Sequence, residues 1–63
     1  SYTVIWQERE EDRLIDKWDR FREKEEVLDL FDELHAKGVS LEDTWVFTPN
    51  ADSYAFTASQ FDS

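Results

Sequence analysis

The sequence predicts a small α+β domain of the ββαβ kind. This is a three- or four-stranded, largely antiparallel sheet with one helix on one face and a docked C-terminal tail. Three observations carry it. Residues 2–7, Tyr-Thr-Val-Ile-Trp-Gln, are β-branched and aromatic, which is strand chemistry. Residues 23–37 carry apolar side chains at helical spacing between a helix start signal and a helix stop signal. Thr44-Trp-Val-Phe-Thr48 again reads as a strand.

In the first strand Tyr2, Val4 and Trp6 share one face. The wholly charged Glu8–Arg13 follows, without Gly or Pro, and is open as a hairpin turn or a helix start. Wheel positions then separate what comes next into two groups. Leu14, Ile15, Trp18 and Phe21 cluster on one side. Val27, Leu28, Leu30, Phe31 and Leu34 cluster on another, roughly 150° away at 100° per residue. One straight helix from Glu8 to Lys37 would expose apolar patches on opposite faces, so the chain breaks near Arg22 and a helix begins there. Glu23, Glu25 and Glu26 suit its first turn, where the macrodipole favours anions. His35 and Lys37 suit its last turn, and Gly38 supplies a left-handed cap.

The residues leave 12–21 open between strand and helix. Helical spacing fits its apolar positions, while Asp16 and Lys17 spoil strand alternation; a helix would give the runner-up fold, βααβ. The string KWDRFREKEEVLDLFDEL, within residues 2–48, resembles small uncharacterised acidic proteins, many from phages and prophages. In these a strand ending in an aromatic passes through a polar link into a Lys-Glu-Glu-led helix. The resemblance implies a strand for 12–21, a host protein as partner, and inhibition as the outcome. Beyond Gly38, Ser40 with Asp43 is placed to cap a single turn, Pro49–Asp52 forms a turn, and Tyr54–Phe56 adds a short edge strand. Thr57-Ala-Ser-Gln60 has capping-box spacing for one helical turn that returns Phe61 to the body.

Sixty-three residues make a single domain, 1–63, with a thin stability margin. Cysteine is absent, so no disulfide or Cys-based zinc site is expected, and the lone His35 builds no metal centre. Three Trp, two Tyr and five Phe supply the apolar packing instead. No apolar run approaches the roughly 20 residues of a membrane span, and the start lacks the pattern of a secretory signal. Ser1 in place of Met reads as a trimmed start, and the lack of cysteine fits the cytoplasm. A formal charge of −9 argues against direct nucleic-acid or anionic-lipid binding.

No Gly-rich phosphate loop, nucleophile elbow or cofactor motif is present. Close carboxylate pairs are inevitable with sixteen acids, so they carry no catalytic signal. A charged turn without Gly does not make a calcium loop. The sequence therefore points to a non-enzymatic interaction protein, without cofactor, binding another protein or a second copy of itself. Because strands alternate, both sheet faces carry apolar groups. Either the tail, through Tyr54, Phe56 and Phe61, covers the second face, or that face is a docking patch. Trp6, Trp18, Trp45 and Phe47 are the candidate anchors. The alternative is an acidic nucleic-acid mimic presenting Glu10, Glu11, Glu25, Asp29 and Glu33 to the basic groove of a nucleic-acid-binding protein.

Overall fold

The computed structural model describes residues 1–49 and 55–62. Strand β1 (Tyr2–Glu10) and strand β2 (Arg13–Phe21) form a long hairpin, helix α1 (Lys24–Ala36) follows, and a short 3-10 turn covers Leu41–Asp43. Strand β3 (Trp45–Phe47), strand β4 (Ala55–Thr57) and helix α2 (Ala58–Phe61) complete the described chain. The sheet order is β2-β1-β3-β4, with antiparallel neighbours throughout. The α+β class and the strand nature of 13–21 hold, and the helix matches within its two cap residues. Tyr54 and most of the Pro49–Asp52 turn lie outside the described residues.

The first question in the chain, turn or helix after Gln7, resolves into a hairpin longer than the residue types imply. Glu11 and Asp12 both adopt positive φ, 47° and 66°. That is the left-handed pair of a two-residue hairpin loop whose twist matches the flanking strands. The short loop fixes the register, with Glu10 opposite Arg13 and Tyr2 opposite Phe21. Charged side chains in Glu8–Glu10 are tolerated as strand because β2 pairs with them along their whole length.

The helix forms as its ends require. The Glu23 N–H donates to the Glu26 carboxylate at 3.1 Å, and the Glu26 N–H donates to the Glu23 carbonyl at 3.2 Å. At the other end Gly38 has φ +83°. Its N–H donates to His35 and the Val39 N–H donates to Leu34, both at 3.0 Å, which closes a Schellman cap. The turn after it needs one correction. Ser40 makes no side-chain cap; its carbonyl accepts from the Asp43 N–H and, at 2.9 Å, from the Thr44 hydroxyl.

Helix α1 lays Val27, Phe31 and Leu34 on one sheet face, against Val4, Trp6 and Val46, with Ala58 joining from α2. The terminal helix is capped as its spacing predicts: the Gln60 N–H donates to Thr57 Oγ1 at 3.3 Å and the Thr57 N–H to Gln60 Oε1 at 3.1 Å. Phe61 then meets Phe31 and Tyr2 edge-on, at 6.0 and 5.9 Å between ring centres. The Ala58 N–H donates to the Thr44 carbonyl at 2.8 Å and ties the tail to the start of β3. The tail therefore closes the same side of the sheet that α1 covers.

Candidate functional site

Register decides which aromatics meet. Directly opposed residues of antiparallel strands share a face. Ile5 lies opposite Trp18 on one side and Trp45 on the other, so Trp18, Ile5 and Trp45 form one row across three strands. Phe47, opposite Thr3, extends the patch along β3. All of these point away from α1, because their neighbours Val4 and Val46 are buried beneath it. Trp18 is 65 % exposed, Trp45 44 %, and Ile5 and Phe47 39 % each. Leu14 is exposed on the same side, opposite Arg9. Among the described residues, no element crosses this face.

Of the four aromatic candidates, the structure thus brings Trp18, Trp45 and Phe47 together and corrects the fourth. Trp6 is 7 % exposed and belongs to the core. Its indole lies on the helix side with Val4, as alternation along β1 requires. Phe56 and Phe61 do not cover the aromatic row either, since Phe56 opposes Val46 and Phe61 packs on Phe31. Ile5 was missed as a candidate; it is an unremarkable strand residue until the register places it between two tryptophans.

Charge is divided between the two sides. On the open face the strands carry Arg9, Asp16 and Arg20, by the same pairing. The Arg20 guanidinium stands 6.0 Å from the centre of the Trp18 ring, at the outer range of a cation–π contact. Asp16 accepts a hydrogen bond from Gln7 at 2.9 Å. The other described carboxylates lie on the helix side, along α1, or in the connecting turns and ends. Beside α1 a hollow of about 330 Å³ is lined by Asp19, Glu26, Asp29 and Glu33 around Phe21 and Leu30. Asp29 and Glu33 thus sit together, and Glu25 is exposed on the same helix. Glu10 and Glu11 stand apart at the hairpin tip, where Lys17 lies 3.6 Å from Glu10.

Glu8 is the most constrained of the described acids. It accepts from the Trp6 indole N–H at 3.0 Å, from Lys17 at 3.2 Å and from Lys37 at 3.5 Å. It thereby joins both hairpin strands to the end of α1. The Trp6 hydrogen bond is the largest cause holding the Glu8 carboxyl below its usual value of 4.5; partial burial opposes this, and Lys17 and Lys37 add to it. Because the folded value is depressed, its stabilisation is present above pH 4.5 and is lost as pH falls through the lower folded value. Thermal melts from neutral to acid pH should show this loss, and Glu8→Gln should show a shallower one while keeping an acceptor for Trp6. An unchanged pH profile in Glu8→Gln would remove Glu8 from the acid response.

A second hollow, about 460 Å³, lies where β1 outruns β3, between Gln7–Arg9 and the 37–40 connector. Its lining mixes Glu8 and Asp43 with Arg9 and Lys37 and offers no convergent acid–base pair. His35 is exposed at the end of α1. Among the described residues no three His, Cys, Asp or Glu side chains converge to hold a metal, and no helix is long and apolar enough to cross a membrane. No family model, curated protein or solved structure matches this chain.

Proposed function

We propose that this chain is a non-enzymatic interaction module that docks a protein partner through the helix-free face of its sheet. The observation that carries the reading is the exposed row Trp18–Ile5–Trp45 with Phe47 beside it; among the described residues the other large apolar side chains, Leu14 and Phe56 apart, are buried or half-buried. Large rigid aromatics contribute binding energy at low entropic cost and dominate interface hot spots. The partner's matching surface is apolar at its centre, and the chain's formal charge of −9, carried mostly on the helix side and in the turns, accelerates encounter with a basic protein. The resemblance of the 17–34 string to phage-type proteins supports a host protein as the target and inhibition as the result, and the absence of cysteine fits the cytoplasm as the site.

Capture from native host lysate, washed at low and high salt, tests this against the same protein carrying Trp45→Ser. A single partner retained at high salt by the parent and lost by Trp45→Ser is expected. Equal retention by both would reject the face as the docking surface. The acidic hollow beside α1 favours a second reading, nucleic-acid mimicry. Its mark would be a nucleic-acid-binding protein released as salt screens charges beyond a Debye length of about 10 Å at 0.1 M. That partner would be indifferent to Trp45→Ser and lost on replacing Asp29 and Glu33 by their amides.

A further inference from the structure

The outer edge of the sheet is a nine-residue strand, β2, with β1 on its inner side. A long unpaired edge is a template for another strand, and proteins that remain single copies blunt it. The hairpin closes on Glu10 and Arg13, and hydrogen-bonded and non-bonded pairs alternate from there. Leu14, Asp16, Trp18 and Arg20 consequently turn their backbone groups outward. The Arg20 N–H donates to the adjacent Asp19 carboxylate at 2.8 Å, a contact that a carbonyl of an added strand would replace.

We infer that the occupant of this edge is β2 of a second copy, paired antiparallel about a two-fold axis at Trp18. The strand is complementary to itself in that register and in no neighbouring one. With the axis at Trp18, Asp16 lies opposite Arg20 of the second copy, Lys17 opposite its Asp19, and Ile15 opposite its Phe21, each contact occurring twice. Opposite charges and apolar pairs directly across strands are stabilising. Moving the axis one residue to Lys17 sets that lysine against itself and Asp19 against an isoleucine. Moving it to Asp16 or Asp19 opposes two carboxylates.

The helix side supports the same register. There the second copy presents Arg13 and Ile15, a cation beside an apolar residue, while its Lys17 stays with its own Glu8 and Glu10. Arg13 and Ile15 meet the hollow where Asp19, Glu26, Asp29 and Glu33 surround Phe21 and Leu30. On the open side the two-fold, being perpendicular to the sheet, keeps both aromatic faces together. The row Trp45–Ile5–Trp18 then continues into its own copy. This pairing does not depend on the partner proposed above, which would meet the doubled face.

Sedimentation equilibrium of the full chain should show a dimer. Asp16→Arg and Arg20→Asp each replace two attractions by two repulsions and should weaken it by on the order of tenfold or more. The double exchange, Asp16→Arg with Arg20→Asp, should restore it. Asp16→Pro removes an outward N–H while sparing the backbone hydrogen bonds to β1, losing only the exposed Gln7 side-chain contact, and should give a monomer that circular dichroism shows to be folded. Should either charge variant fail to fold, the lack of native cysteine provides a second route. Trp18→Cys alone along β2 should oxidise to a linked dimer, since opposed Cα atoms on the axis stand about 5.5 Å apart. A monomeric parent chain would overturn the inference. So would a dimer indifferent to Asp16→Pro, or one linked through a cysteine at Trp45 in place of one at Trp18.

Discussion

Phe31→Ala should leave the chain unfolded at room temperature. The ring is 2 % exposed and sits where α1 meets the sheet, in a cluster with Val4, Val27, Leu34 and Val46. It also receives the edge of Phe61, which brings the terminal helix onto the body. Truncating such a side chain removes its transfer energy and leaves a cavity, together about 3–5 kcal/mol. A domain of this size has a total stability on the order of 5 kcal/mol. Far-UV circular dichroism against temperature reads the outcome. At roughly 4–8 °C per kcal/mol, a cooperative melt within a few degrees of the parent would contradict the packing of α1 on the sheet.

Trp6→Ala and Trp45→Ser should separate two tryptophans that strand chemistry makes look alike. Trp6 fills the helix side of β1, and its indole N–H holds Glu8, the acid that also binds Lys17 and Lys37. Its loss should cost about 3–5 kcal/mol for the cavity and should also disorganise the Glu8 cluster. Trp45 stands on the open face beside Ile5 and away from the β2 edge. Replacing it forfeits a cross-strand contact, about 1 kcal/mol or less. Urea denaturation followed by circular dichroism gives both values on one scale. Equal destabilisation by the two substitutions would mean that Trp45 is packed, and the open face would lose its anchor. The same contrast makes Trp45→Ser a sound binding variant, because its fold should survive.

The strands and the helix were legible because their signals are local. Tyr2–Gln7 and Thr44–Thr48 announce themselves by residue type. The helix is bounded by acids at its N-cap and in its first turn and by Gly38, the residue that accepts φ +83° without strain. Residues 13–21 were not legible from their own pattern, and the structure shows why. β2 is an edge strand, with Asp16 on the open face and Lys17 held over Glu8 and Glu10 on the other. Both faces therefore tolerate charge, and the alternation that marks a half-buried strand never appears. The tail was legible in its cap and in the return of Phe61 to the body, while the side it covers stayed open, because a capping box states where a helix starts and nothing about which side it packs on.

The candidate surface divides in the same way. Alternation alone set Trp6 with Val4, and Trp45 with Phe47, on opposite sides of their neighbours. What it could not state is which side α1 would cover, since both carry apolar groups. That choice belongs to the crossover. β2 and β3 both run antiparallel to β1, so α1 connects two mutually parallel strands of one sheet, and such connections take a single hand. Once α1 lies over Val4, Trp6 and Val46, Trp6 becomes core, and Trp18, Ile5, Trp45 and Phe47 become surface. Residue type and spacing thus determined the elements and their apolar faces through short-range backbone and burial preferences. Pairing and crossover, which act between residues distant in the chain, determined which of those faces meets solvent.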